Sequence, residues 1–137
     1  MDAIVKLRED HKAVEKLFKQ LEKDDLTVVP EICVALSLHA TIEEEVFYPA
    51  VRSEVVGELD DVLEAIEEHS LVKGLISELN TMTADEETYK AKAIVLMELV
   101  RHHVEEEEAE MFPRVREALG RRRLQELGDG FAAAARA

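Results

Sequence analysis

The sequence predicts an all-α protein, an up-down-up-down four-helix bundle followed by a short C-terminal helix. Three observations predict it. Apolar residues recur at helical spacing through four stretches of about 20 residues each. The composition is 47% hydrophobic and 35% charged with five Gly and three Pro, which suits helices and leaves few residues for hairpin turns. The connections between the stretches are short, so consecutive helices become antiparallel neighbours. A chain of 137 residues holds one core rather than two, and we divide it into a bundle, 1–118, and a short helical tail, 119–137.

The first helix begins after Asp2, whose carboxylate suits the free backbone N–H groups of a helix start, and runs to about Lys23. Ile4, Leu7, Val14, Phe18 and Leu21 form its apolar stripe, and His11 takes the one slot they leave open. Asp24-Asp25 breaks the pattern, and Thr27 with Pro30 restarts it. The second helix carries Val29, Ile32, Leu36, His39, Glu43 and Val46 on one stripe and reaches about Tyr48. Pro49 is expected to end it, because the residue before a proline is pushed away from helical angles. The third helix begins between Ser53 and Glu58 and reaches about Leu79, with Leu59, Val62, Ile66, His69, Ile76 and Leu79 facing in. The fourth runs from about Asp85 to Phe112 with Tyr89, Ala93, Leu96, Val100, His103 and Glu107 inward, and Pro113 kinks or ends it. The tail is punctuated by Gly120, Gly128 and Gly130, and its alanine-rich end is expected to fray.

One statement occurs twice. His39 is followed four residues later by Glu43, then by Glu44, and ten residues after the histidine by the aromatic-proline pair Tyr48-Pro49. His103, Glu107, Glu108 and Phe112-Pro113 repeat that spacing. Residues four apart share a helix face, so each copy aims an imidazole and a carboxylate at one place. His11 precedes the first copy and His69 the second, making the chain a crude duplication in which every helix sends ligand-type side chains inward.

Alone, a histidine on an apolar face is more often a hydrogen-bonded core residue, and glutamate runs usually form a solvated face. Here His11, His39, Glu43, His69, His103 and Glu107 all occupy core slots. Each buried polar group without a partner costs about 1–3 kcal/mol, and six would consume most of the ~5–15 kcal/mol by which a domain is stable. A multivalent cation compensates them together. Four imidazoles and two carboxylates suit iron, manganese or zinc better than calcium or magnesium. Two carboxylates can each bridge two ions, which favours a dinuclear site.

These residues resemble the hemerythrin-like, or HHE cation-binding, domain, over roughly residues 4 to 118. The resemblance implies a hemerythrin-like bundle around two iron ions joined by a bridging oxygen and two carboxylates. Glu43 and Glu107 would be those bridges, His11 and His39 would complete one iron, and His69 and His103 the other. Oxygen-carrying members have a fifth histidine four residues from the third-helix one; here those positions are Ala65 and Lys73. One iron is therefore expected to be more open, favouring reaction with hydrogen peroxide or nitric oxide over stable carriage of O2. The expected function is handling of O2-derived or nitrogen-oxide species, with catalase-like peroxide decomposition as the activity. Two other readings stay open: a non-catalytic O2-binding, storage or oxygen- and iron-sensing protein, and a bundle stabilised by structural zinc.

Smaller features complete the reading. Lys73, one turn beyond His69, either extends its ammonium to solvent or donates to a bound oxygen species. His102 is turned about 100 degrees from His103 and flanks the site. Glu44 and Glu108 stand behind the ligands or in solvent rather than bridging. Tyr48 and Tyr89 are assigned to packing, and Cys33 to the core. The net charge of -14 repels phosphate backbones and anionic lipid, so neither nucleic acid nor a membrane is an expected partner. O2, hydrogen peroxide or nitric oxide and an unidentified redox partner are. A single cysteine, a start lacking a basic-then-apolar signal and no apolar run near the roughly 20 residues of a membrane span give a cytoplasmic expectation.

Overall fold

The computed structural model describes residues 1–136, and among them there is no strand. Helix α1, Ala3–Glu22, starts where Asp2 accepts hydrogen bonds from the backbone N–H of Ile4 and Val5 at 2.8 and 3.2 Å. Asp24 ends it in the left-handed region at φ 66, and a 3-10 turn at Leu26–Val28 leads into the second arm. That arm comprises α2, Val29–Ile42, a π turn at Glu43–Phe47, and α3, Tyr48–Glu54. The third arm is α4, Leu59–Asn80. The fourth comprises α5, Tyr89–Glu106, a second π turn at Glu107–Met111, and α6, Phe112–Arg136.

Neither proline ends its helix. In an unbroken α-helix a proline ring clashes with the carbonyl four residues back. Each arm instead widens by one residue just before its proline, and the chain continues in the same direction. Both π turns begin at the glutamate of the His-x3-Glu pair, in keeping with the frequent occurrence of such bulges at functional sites.

The inward stripes are as periodicity places them, with one exception. Leu59 is 45% exposed, because it opens α4 at the rim of the bundle. The apolar core falls into two clusters. One, around Phe18, Ile32, Leu36, Ile76 and Leu96, fills the end where the α1–α2 and α4–α5 connections lie. The other, around Leu7, Phe47, Val51, Phe112 and Val115, fills the opposite end. The buried histidines and glutamates lie between them.

The tail belongs to that second cluster, and is more than an appended helix. Gly120, at φ 77 and ψ 174, breaks α6 in a conformation that L side chains avoid. The chain beyond it lies against α1, burying Leu124, Leu127 and Phe131 with Ala3, Ile4 and Leu7. Gly128 sits so close to the N-terminus that an added methyl would fall 1.8 Å from the Met1 carbonyl oxygen. Arg123 pairs with Glu54 through two hydrogen bonds, at 2.8 and 2.7 Å. Helix extends through Arg136 in the alanine-rich end, and Ala137 lies outside the described residues.

The stretch Leu26–Glu54 is long and apolar enough, by length and composition, to cross a membrane, contrary to the reading of the sequence. Much of that apolar character is accounted for by burial: Val29, Ile32, Leu36, Ile42, Phe47 and Val51 all lie in the core.

Candidate metal centre

His11 on α1, His39 on α2, His69 on α4 and His103 on α5 converge on Glu43 and Glu107, the first residues of the two π turns. All six are buried, Glu43 completely. Glu43 Oε1 lies 3.2 Å from His39 Nε2 and 3.1 Å from His69 Nε2. Glu107 reaches His11 Nε2 and His103 Nε2, at 3.2 Å in each case, one through each of its oxygens. Each carboxylate thus faces one histidine from each half of the chain.

These close approaches leave polar atoms unsatisfied. His11 Nε2, His39 Nε2, both oxygens of Glu43 and Glu107 Oε1 have no hydrogen-bond partner. Buried atoms of this kind are normally paired. Donors about 2.1 Å from one ion, at tetrahedral to right angles, stand about 3.0–3.4 Å apart, which is the spacing seen here. The donor set fits a metal, and the donor atoms form two groups: His11, His39, Glu43 and Glu107 in one, and Glu43, His69 and His103 in the other.

The opposite ring nitrogens are all held by carboxylates. The Nδ1–H of His11 donates to Glu108 at 2.6 Å, and that of His39 to Asp10 at 3.1 Å. The Nδ1–H of His69 donates to Glu44 at 2.8 Å, and that of His103 to Glu68 at 2.7 Å. Such contacts fix the tautomer and leave Nε2 free to ligate. Asp10 and Glu68 were not singled out from the sequence, yet each immediately precedes the first histidine of its half. The duplicated unit is acid-His, then His-x3-Glu-Glu, and reading it that way would have found them.

Lys73 does not reach the centre. Its ammonium bonds Glu44 at 2.5 Å with over half of the side chain exposed, so it supports the carboxylate that holds His69. His102 is exposed and pairs with Glu106 at 3.1 Å.

Tyr48 corrects an assignment to packing. Its hydroxyl donates to Glu107 Oε2 and lies 3.2 Å from His103 Nε2 and 3.4 Å from His69 Nε2. On an α-helix a residue five beyond Glu43 points about 140 degrees away. The π turn removes that offset: the backbone N–H of Tyr48 donates to the Glu43 carbonyl, and both side chains enter the same space. Phe112 holds the matching position after Glu107 and stacks on His11, with ring centroids 5.9 Å apart and planes within 4°.

Charge on the metal-free centre is concentrated. Burial disfavours a charged His39, but Glu43 and Asp10 outweigh it and push the pKa up to about 10. Burial likewise opposes charge on His103, and Glu107 and Glu43 push it up to about 12. Burial also works against the Glu43 carboxylate, yet the charge of His39 and the neighbouring imidazoles hold it well below the usual range. Burial and then the two carboxylates drive the Tyr48 phenol well above its ordinary value.

The sequence matches the family model of the hemerythrin HHE cation binding domain over residues 2–115. The chain belongs to the hemerythrin HHE cation-binding family. A crystal structure of a family protein from Mycobacterium kansasii superposes on 99% of this chain and 86% of its own, with a TM-score of 0.78 and 25% identity. A protein of Nostoc sp. named DNA nickase is 32% identical over 133 residues, 93% of this chain. The chain spans 37% of that relative's length. The family is named for cation binding, and the His/Glu cluster is a group of donors that could hold a metal ion.

Proposed function

We propose that the protein is a non-haem di-iron protein that handles O2-derived or nitrogen-oxide species, with decomposition of hydrogen peroxide as its activity. The observation that carries this reading is the set of inward donor atoms. Four Nε2 atoms and two carboxylates face one buried space, five of their atoms lack protein partners, and every Nδ1 is held from behind. His11 and His39 would hold one ion, His69 and His103 the other, and Glu43 and Glu107 both.

When bound, an iron pair supplies electron exchange, so that one peroxide is oxidised to O2 while a second is reduced to water. The chain's residues do the rest. Asp10, Glu44, Glu68 and Glu108 orient the imidazoles. The flanking apolar clusters restrict water. Tyr48 keeps a proton at Oη beside His69 and His103, where it can be donated to a ligand oxygen. Tyr48 thus adds a proton donor to the half of the centre whose helix α4 carries a single histidine, which favours a reactive centre over a carrier. The net charge of -14 disfavours nucleic acid as substrate, so the nickase name of the Nostoc relative is not extended to this chain.

The test is metal analysis of protein from iron-replete cells, followed by the absorption spectrum and O2 release on peroxide addition. About two irons per chain and O2 evolution are expected. Stoichiometric zinc with no response to peroxide would overturn the reading and leave a structural metal.

A further inference from the structure

Above the histidines, toward the α1–α2 and α4–α5 connections, the bundle forms a partly open chamber of about 340 Å³. Val14, Phe18, Leu36, Ile76, Val100 and Val104 wall it, and the four site histidines line its floor. Its size is the anomaly. Hydrogen peroxide occupies about the volume of two waters, roughly 30 Å³ each in the liquid, and would fill a small part of it. Apolar walls give water few partners, and concave, mostly apolar pockets of about 300–1,000 Å³ are the usual setting for small organic ligands. Apolar cavities of less than half the chamber's volume, about 150 Å³, stay dry and take up benzene or xenon.

Charge at the rim narrows the class of ligand. Of the three cations there, two are already neutralised: Arg101 bonds Glu15 at 2.7 Å and Glu22 at 3.0 Å, and Lys73 bonds Glu44 at 2.5 Å, while the third, Lys12, is exposed. Asp10, Glu105 and Glu108 also line the chamber. The four carboxylates that line the chamber, Glu15 included, outnumber its three cations, so the charge there does not favour an anionic head group. The polar end of an occupant is served instead by the floor, where His11 and His39 would present the ion they hold.

We propose that this chamber binds a neutral organic molecule with a compact aryl or branched alkyl body and one hydroxyl or hydroperoxyl head, seated with its head toward the metal centre. The inference deepens the peroxide reading and rests on it for the head group, naming small organic hydroperoxides as the substrate class. Reduction of such a molecule breaks its O–O bond to give the alcohol and water. It takes up two protons from solvent and one electron from each of two ferrous ions, which become ferric.

The probe is 2-phenyl-2-propanol, an unreactive alcohol of this shape, titrated by calorimetry into the iron-loaded chain with glycerol as the polar control. Saturable binding of the aryl alcohol and none of glycerol are expected. Val104→Phe, at a half-buried wall position, should weaken binding at least tenfold with metal content unchanged, whereas Val95→Phe, at an exposed position outside the chamber, should not. Methyl spectra of the zinc-loaded chain serve if Val104→Phe fails to fold: shifts on adding the alcohol should centre on Val14, Leu36, Ile76 and Val100. No saturable binding, equal binding by Val104→Phe, or shifts centred elsewhere would overturn the chamber's assignment. Turnover is read separately, with hydrogen peroxide and cumene hydroperoxide. Alcohol binding without turnover of either peroxide keeps the chamber and removes the peroxide reading. Hydrogen peroxide turnover without alcohol binding does the reverse.

Discussion

The two halves of the centre are built to one plan and differ by a hydroxyl. In one, His11 and His39 are held from behind by Glu108 and Asp10, and Phe112 stacks on His11. In the other, His69 and His103 are held by Glu44 and Glu68, and Tyr48 lies against His69 with ring centroids 5.4 Å apart. A rotation exchanging the halves brings Tyr48 onto Phe112. The phenol oxygen therefore marks one half alone, and it bonds the carboxylate, Glu107, that both halves share. Duplication supplies a near-symmetric cage, and one side chain makes its two groups of donor atoms chemically unequal.

Removing what the halves share should have the largest effect. Glu43→Ala deletes a completely buried carboxylate that faces both, and metal content by elemental analysis should fall from about two ions per chain to one or none. Retention of both ions would separate Glu43 from the centre.

Next in size are the carboxylates behind the histidines. Asp10→Asn and Glu68→Gln act on equivalent positions, His39 and His103, so each should lower metal affinity about 10- to 100-fold. Competition against a chelator reads this. A large loss from one variant and none from the other would show that the halves are unequal beyond Tyr48.

The hydroxyl itself is tested by exchange. Tyr48→Phe should bring two unequal steps of a metal titration together, with a stability loss of about 1.5–3 kcal/mol, the usual scale of a hydrogen bond to a charged group. Adding Phe112→Tyr to that variant should carry the inequality to the His11 half. Titration steps that stay apart in Tyr48→Phe would place the asymmetry elsewhere.

Each half also contains one histidine that is protonated at neutral pH without metal, His39 at about 10 and His103 at about 12. Both values lie above the ordinary 6.5, so their contribution to metal-free stability is full below that pH and is lost as pH rises through the folded-state values. Metal requires neutral imidazole. Loading at pH 7 should therefore release protons from both halves, and apparent affinity should rise with pH. A pH indicator in weakly buffered solution detects this, and uptake without proton release would contradict it.

The smallest effect belongs to Lys73, which touches only Glu44 and is mostly solvated. Lys73→Met should change stability by under about 1 kcal/mol and leave metal content unaltered. A marked drop in metal content would give the His69 half a second support that its counterpart lacks.

Much of this was legible in the sequence, because burial and period are local facts. The stripes of His11, His39, His69 and His103 followed from 3.6-residue spacing, and the repeated His-x3-Glu paired each carboxylate with a ring. The four helices followed from the same periodicity. Glu44 and Glu108 were read as standing behind the ligands or in solvent, and the structure chose the first by pairing them with His69 and His11. Asp10 and Glu68 escaped because an acid next to a histidine on a helix points elsewhere. Each becomes relevant only when a neighbouring helix brings another ring to it, as Asp10 reaches His39 rather than His11.

By itself the sequence determined the helical class, the six inward polar residues and their twofold repetition, since each depends on spacing along one helix. Tertiary structure decided the rest. It placed Tyr48 in the centre, because the π turn that rotates it inward breaks the periodicity by which a helix face is read. It folded the tail back over α1, because the positive φ of Gly120 turns the chain there and Gly128 admits the Met1 backbone. It also opened the chamber above the histidines, because the volume left between four helices depends on how all their faces meet.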